Sequence, residues 1–303
     1  MRARPLFFPG RVPRTGWGRA PGTMGVEMRQ DQAPSRPPLS EAALTEQIVR
    51  PSGLWREVSV AMRTGSTNAD LVARAGNGAP EGLVLAAEEQ TAGRGRMGRS
   101  WLSPPRAALT FSVLLRPVGV PPARRGWLPL LAGVATAAAV RQVSGLDAQL
   151  KWPNDVLLGP GKLAGILAEQ SGDAVIIGIG INVSTARDEL PATGAASWPA
   201  TSLLLEGSGS LDRERLLGRI LGEVESWYLA WRGTDPPGDP QASGLRAAYL
   251  RLCATVGRDV RVELPAGPAC HGTATGIDAD GRLVVAAPDG QIAVGAGDVR
   301  HVR

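Results

Sequence analysis

Between Gln90 and Trp101 the chain reads Gln-Thr-Ala-Gly-Arg-Gly-Arg-Met-Gly-Arg-Ser-Trp, so Arg94, Arg96 and Arg99 alternate with Gly93, Gly95 and Gly98. Glycine lets a backbone fold tightly, and a guanidinium offers a planar fork to an oxyanion. Three such forks on one pliable loop make a clamp for a phosphate or carboxylate, able to become ordered when the anion arrives. The spacing also satisfies GxGxxG. A dinucleotide fingerprint is nevertheless rejected, because Trp101-Leu-Ser-Pro-Pro breaks any following helix and no acidic residue stands about twenty positions on.

A second group is Lys151-Trp152-Pro153-Asn154-Asp155, followed by Gly161-Lys162-Leu-Ala-Gly165-Ile-Leu-Ala-Glu169. Only two of the 33 cationic residues are lysines, and these are the two. Where arginine is the default cation, a lysine points to a place that needs a compact ammonium. Lys162 opens an apolar strand, from whose edge its ammonium can enter a cleft as a phosphate ligand. Gly161-Lys162 is not a P-loop, since no Ser or Thr follows and Val156 stands where the first glycine belongs. The stiff Trp-Pro pair fixes the approach to Asn154 and Asp155. The amide reads donor and acceptor edges, and the carboxylate can hold Mg²⁺ or a ribose.

Two further segments complete the inventory. Gly178-Ile-Gly180-Ile-Asn182 leaves one strand face bare, so something flat can approach it, with the Asn182 amide at its end. Gly65-Ser66-Thr67-Asn68 reads as a helix start whose hydroxyls and free N–H groups can take an anion or a polar ring. The first 250 residues hold no His and no Cys, which excludes Ser-His-Asp, Cys-His and histidine-metal chemistry there. Arginines, a lysine, amides and no nucleophile suit a reaction between anions that the protein positions and neutralises. Attack of a carboxylate on the α-phosphate of ATP is such a reaction.

The elements that must hold these residues alternate. The pattern predicts strands at Val58–Met62, Leu83–Glu88, Leu109–Arg116, Asp155–Leu158, Leu163–Gln170 and Ala174–Asn182. It predicts helices at Asn68–Ala75, Trp127–Val143 and Leu211–Trp231, and a short one over residues 40–50 capped by Ser40. The Pro/Gly cluster 233–240 reads as a linker, and short strands after Gly257 with Asp-Gly turns suggest a small barrel. The expected organisation is a tail at 1–38, a main domain at 39–243 and a C-terminal domain at 244–303.

Charge follows the same division. Residues 1–36 carry seven arginines and two acids, whereas residues 37–303 carry 26 of each sign. The excess charge therefore belongs to a Pro/Gly/Arg-rich tail that reads as disordered, and no basic domain surface is implied. Met24 and Met28 lie inside this tail, so a native start later than Met1 is an expectation that N-terminal sequencing tests. The longest apolar run, Leu128 to Val140, is interrupted by Gly133 and Thr136 and falls short of the roughly 18 residues a membrane span needs. Cys253 and Cys270 show no paired CxxC and are expected to be reduced in a cytoplasmic protein.

The segments GRGRMGRSW (93–101), KWPNDVLL (151–158), GKLAGILAE (161–169) and GIGINV (178–183) occur in the order found in biotin protein ligases, which this chain resembles over about residues 50–303. The resemblance implies an α+β catalytic domain of the class II synthetase-like type, a mixed β-sheet flanked by helices, followed by an SH3-like barrel. It implies that biotin and MgATP give biotinyl-5′-adenylate, and that a lysine of a biotin carboxyl carrier domain of an acyl-CoA carboxylase then takes the biotinyl group. Carried over residue by residue, Ser66, Thr67, Asn68, Gln90, Gly93, Gly165 and Trp101 look like the biotin pocket, with Trp101 packing the loop over it. Arg94, Gly95 and Arg96 look like the loop that closes on biotin and its activated carboxyl-phosphate. Lys162 looks like the ammonium that steadies carboxylate, phosphate and adenylate. Arg99, Asn154, Asp155 and Asn182 look like the nucleotide side, with Asp155 a candidate Mg²⁺ ligand.

Two departures stand out. Met97 replaces an arginine frequent in the family loop, and the winged-helix DNA-binding domain of the bifunctional members is not seen, so a ligase-only type without nucleic-acid or membrane partners is expected. A lipoate or octanoate ligase of the same superfamily is the near alternative; the polar KWPND and Gln90 favour the ureido ring of biotin. A nucleic-acid-binding protein using the basic tail is the alternative from another class, and the neutrality of residues 37–303 argues against it.

Overall fold

The computed structural model describes residues 35–191, 198–264 and 268–302. Seven strands, β1 (Glu57–Ala61), β2 (Leu83–Ala87), β3 (Ala108–Leu115), β4 (Ala148–Lys151), β5 (Asp155–Leu158), β6 (Gly161–Ser171) and β7 (Ala174–Asn182), form one sheet in the order β1-β2-β3-β7-β6-β5-β4. Only β1 and β2 run parallel, so the sheet is mixed, as expected. Every residue of β2 and β3 is buried. Continuous apolar strands of this kind need cover on both faces.

That cover comes from helices α1 (Glu41–Ile48), α2 (Thr67–Gly76), α3 (Trp127–Ser144), α4 (Arg213–Arg232) and α5 (Leu245–Leu252). Successive strand residues point to opposite faces. Leu83 and Leu85 accordingly join Leu71 and Ala75 of α2, while Val84 and Ala86 join the larger core around α3 and α4. Helix α2 is capped by the Ser66 hydroxyl, which accepts from the Ala69 N–H, and helix α4 by the Asp212 carboxylate, which accepts from the Arg215 N–H.

Strand β4 and helix α5 are not in the sequence reading. Four residues are too few to show a period, and α5 directly follows the breaker cluster. That cluster is irregular but packed: the Gly238 N–H donates to the Trp231 carbonyl, and Gly238 lies against Val120. Helix α5 rests on α3, with Tyr249 edge-on to Trp127 at 6.1 Å. The core runs on without a break into the C-terminal sheet, and the described residues from Arg36 onward form one compact unit.

The C-terminal sheet contains β8 (Asp259–Glu263), β9 (Cys270–Ile277), β10 (Leu283–Ala287), β11 (Gly290–Val294) and β12 (Asp298–His301), in the order β11-β10-β9-β8-β12. It is antiparallel throughout. Its strand number fits an SH3-like domain, with the seam between β11 and β12 unpaired among the described residues.

Most of the expected tail, residues 1–34, lies outside the described residues. Its last residues are anchored: Arg36 pairs with Glu189 and donates to the Ser184 carbonyl, and the Pro37 carbonyl accepts from Arg213. Arg213 also meets Glu88 in a buried ion pair at 2.7 Å, and the Leu39 N–H donates to the other Glu88 oxygen. Cys253 and Cys270 are free thiols. Among the described residues no helix is long and apolar enough to cross a membrane.

Candidate functional site

A cavity opens where the start of α2, the Gln90–Trp101 loop and strands β3, β6 and β7 converge. Ser66, Thr67, Asn68, Gln90, Arg94, Gly95, Arg96, Arg99, Trp101, Asn154, Lys162 and Gly165 all line it. Twelve residues singled out from separate segments of the sequence thus meet in one place. Gly93, Asp155 and Asn182 are not among the lining residues.

The floor is set by strand register. Gly178 stands opposite Ser112 and Leu167, and Gly180 opposite Thr110 and Gly165. The bare glycine face was expected to admit something flat; two of the chain's own side chains occupy it. A Cβ on Gly178 would lie 2.9 Å from Asn68 Cγ, and one on Gly180 would lie 2.6 Å from Trp101 Nε1. The Trp101 ring also covers Gly165, where a Cβ would meet its Cζ3 at 3.3 Å. The buried indole N–H finds no acceptor among the described residues, which leaves a donor in the cavity wall.

Over the Gly178 row lies a network of neutral polar groups. The Gln90 Oε1 accepts from the Thr67 N–H at 2.8 Å and from its hydroxyl at 3.1 Å. The Thr67 and Ser112 hydroxyls are 2.7 Å apart, and the Ser112 hydroxyl donates to Asn68 Oδ1 at 2.6 Å. Asn68 Nδ2 then donates to Glu169 at 2.7 Å, and the other oxygen of Glu169 lies 3.7 Å from Arg94. Ser112 and the role of Glu169 are missed by the sequence reading. The available signal was the alternation of Thr110 and Ser112 on one face of an otherwise apolar strand.

The loop beside the Gly180 row is drawn into a hairpin. The Trp101 N–H donates to the Gly93 carbonyl at 2.9 Å, and the Gly95 N–H to the Arg99 carbonyl at 2.6 Å. Gly93 allows this closure, since a Cβ there would sit 2.9 Å from Gln90 Nε2 and press on the Trp101 backbone. At the tip Met97 takes a left-handed conformation, with φ 55°. Its side chain is exposed and lines an outer groove, not the cavity. The charge absent at this position is therefore absent from the outer side of the loop.

The cations are held from several directions. Arg96 donates to Asn154 Oδ1 at 3.2 Å and to the Gly297 carbonyl of the C-terminal domain at 3.4 Å. Burial lowers its pKa from the usual guanidinium value, and Asp155 opposes that shift. Arg99 lies 3.5 Å from Asp298. Asn154 is fixed by donating to the Ile166 carbonyl at 2.9 Å. The backbone of Lys162 is clamped by the segment 199–201: its N–H donates to the Pro199 carbonyl, and its carbonyl accepts from the Thr201 N–H. The Lys162 ammonium lies beside Gly165, 3.6 Å from where a Cβ would be.

Asp155 and Asn182 differ from the expected placement. Asn182 is buried and donates to the Thr201 carbonyl at 2.9 Å, so it braces the segment that clamps Lys162. Asp155 places one oxygen 2.6 Å from Lys162 Nζ and the other 3.6 Å from Lys151 Nζ. Asp155 thus sits between two ammonium groups. No cluster of three or more potential metal-ligating side chains occurs among the described residues. A Mg²⁺ that arrives with ATP is held largely by phosphates and waters, so the protein need supply only one or two carboxylate oxygens.

The site therefore has a neutral hydrogen-bonding row and a cationic row, two residues apart along β7, roughly 7 Å. Known proteins share this framework. Residues 61–183 match the Biotin/lipoate A/B protein ligase family, and residues 255–302 match the Biotin protein ligase C terminal domain. The chain is 44% identical to the biotin–[acetyl-CoA-carboxylase] ligase of Mycobacterium tuberculosis over 272 residues, 88% of this chain and 97% of that protein. It is 34% identical to the bifunctional ligase/repressor BirA of Bacillus spizizenii over 71% of this chain and 65% of that protein. The structure of biotin protein ligase from Aquifex aeolicus in complex with biotin and ATP superposes with a TM-score of 0.67 at 27% identity, covering 82% of this chain and all of that one.

Proposed function

The chain belongs to the biotin protein ligases, and from that membership and the two-row cavity we infer that it activates biotin with ATP and transfers it to a carrier-domain lysine. In the first step a biotin carboxylate oxygen attacks the α-phosphorus of ATP. The bond to the bridging oxygen breaks, and pyrophosphate leaves with the electron pair. In the second step the ε-amine of a lysine on a biotin carboxyl carrier domain attacks the acyl carbon. The C–O bond breaks, AMP leaves, and the amine gives up a proton. Neither step needs a protein nucleophile.

The observation that carries this reading is the adjacency of the two rows. Thr67, Asn68 and Gln90, with Thr67 and Asn68 held from behind by Ser112, offer fixed polar groups suited to the ureido ring of biotin. Arg94, Arg96, Arg99 and Lys162 line the same cavity next to them, where the carboxylate and α-phosphate must meet. Two anions repel, and preplaced cations in a partly dry site lower the cost of bringing them together. Closing the loop over the mixed anhydride would shield it from water, with the Trp101 indole between Gly165 and Gly180 as the lid's inner face. The reading divides the chain at about residue 243 into a ligase portion and a C-terminal portion, in keeping with the two separate sheets. It also places the protein in the cytoplasm, where ATP is available and thiols such as Cys253 and Cys270 stay reduced.

The test is ATP-dependent transfer of labelled biotin to a purified carrier domain, with lipoate as a parallel substrate. Biotin transfer alone is expected. Transfer of lipoate alone would overturn the pocket reading, and failure with both by folded protein would overturn the activity.

A further inference from the structure

Lys151 is buried, its side chain only 5% exposed, and it is not among the residues lining the cavity. Desolvating an ammonium is costly, and burial lowers the pKa of this one while Asp155 opposes the shift. It faces Asp155 across the β4–β5 turn, where the two are register partners. The same carboxylate therefore has a lysine on each oxygen: Lys162 at 2.6 Å on the cavity side and Lys151 at 3.6 Å behind. A bulge at Leu163 of β6 shifts the register between Val156 and Leu157, so that Asp155 faces Gly165 while Leu157 faces Lys162.

Charge balance gives this arrangement a purpose. An ammonium 2.6 Å from a carboxylate belongs to a neutral pair, and a neutral pair attracts a phosphate weakly because the carboxylate repels what the ammonium draws in. With Lys151 behind, the trio carries one net positive charge, and that charge faces the cavity through Lys162. Two other charged groups near Lys151 do not replace it, while Arg96 attracts Asp155 from the cavity side. Asp298 is negative and lies 3.5 Å from Arg99. His301 of β12 is held neutral at ordinary pH, its pKa pulled down to about 4 by burial and by Lys151 and Arg258.

We propose that Lys151 is a positioning residue for adenylation: by neutralising Asp155 from behind, it lets the carboxylate hold Lys162 in place without cancelling the charge that Lys162 offers an anionic substrate. The proposal rests on the reading of Lys162 as the ammonium that meets the substrate carboxylate and phosphate.

The experiment measures biotin-dependent pyrophosphate release by the full chain as a function of ATP, with thermal unfolding to confirm each fold. Lys162→Ala checks the underlying reading; if adenylation survives it, the assignment of Lys162 fails, separately from the role of Lys151. Lys151→Met is expected to raise KM for ATP about tenfold or more, because the trio drops to zero net charge. Adding Asp155→Asn to Lys151→Met is expected to restore most of that KM, since it removes the charge that Lys151 offsets. If Lys151→Met does not fold, Lys151→Gln serves in both single and double variants. A side chain that merely fills space predicts a double variant no better than the single one. That result, or an unchanged KM on losing Lys151, overturns the proposal.

Discussion

Replacing Gly180 by alanine puts a methyl group where the Trp101 indole lies. All three nearest atoms to the added Cβ belong to that ring, with Nε1 at 2.6 Å and Cζ2 at 2.8 Å. The strand cannot retreat, because β7 is paired on both sides, with β3 and β6. The indole must lift, and the loop that carries it must loosen. A tryptophan side chain buries on the order of 150–250 Å². Uncovering roughly 100 Å² of apolar surface at about 25 cal/mol/Å² costs ~2.5 kcal/mol. That agrees with the ~1–3 kcal/mol typical of an overpacked site.

Where this cost falls is the test. Spread over the fold, it would lower Tm by roughly 5–10 °C, at about 2–4 °C per kcal/mol for a chain of this size. Confined to the Gly93–Trp101 hairpin, it leaves Tm nearly unchanged and raises the open population of the loop about thirtyfold or more, at a factor of ten per ~1.4 kcal/mol. Arg94, Arg96 and Arg99 make that opening visible as tryptic cleavage. We expect Gly180→Ala to be nicked faster at these arginines and to release biotinyl-adenylate faster by a similar factor. Adding Trp101→Ala should change little more, since both substitutions remove one contact. A variant with lowered Tm but wild-type loop cleavage and wild-type adenylate retention would refute the reasoning.

Three other outcomes follow from the same geometry. Arg96→Ala removes the hydrogen bonds to Asn154 and Gly297 together with a cavity charge, so biotinyl-adenylate should leak about tenfold faster or more; an unchanged leak rate contradicts contact with the phosphate. Removing residues 1–35 should leave Tm and activity unchanged, whereas removing 1–40 strips the Pro37 and Leu39 contacts from the buried Arg213–Glu88 pair and should lower Tm by several degrees, roughly 2–4 °C per kcal/mol. Equal Tm values for the two truncations would contradict the anchoring role. His301, with a folded pKa pulled down to about 4 from an ordinary value of 6.5, resists the proton that the unfolded chain accepts, so its contribution to stability is intact above about pH 6.5 and is lost as pH falls toward 4. His301→Gln should flatten the pH dependence of unfolding in that window, and an unaltered slope would refute the assignment.

The site was legible in the sequence wherever function is written in adjacent residues. The alternation of Arg and Gly at 93–99, the Asn154-Asp155 pair and the strand-opening Lys162 announce their chemistry locally, and the structure gathers most of them around one cavity. What stayed hidden depends on partners far along the chain. Ser112 meets Asn68 from 44 residues away, and Asn68 reaches Glu169 across 101. Gly178 and Gly180 correctly signalled a bare floor, but nothing in their spacing says that Asn68 and Trp101 lie on it. Only the paired strands show that Asp155 sits between Lys151 and Lys162. Strand β4 and helix α5 escaped because four and eight residues are too short to display their periods beside stronger neighbouring signals.

Arg96 meets Gly297 from 201 residues away, and Arg99 meets Asp298 from 199 away. On the ribosome, chains emerge from the N-terminus at about 5–20 residues per second, and their early portions can fold before the rest exists. The seven-stranded sheet ends at residue 182 and the helices that cover it at residue 252, before residue 297 is translated. During that interval of roughly 2–9 seconds the arginine loop lacks its distant anchors. A nascent chain can thus own a complete pocket floor while its clamp is unfinished, and arrested translation products ending before β12 would be folded but poor at keeping what they activate.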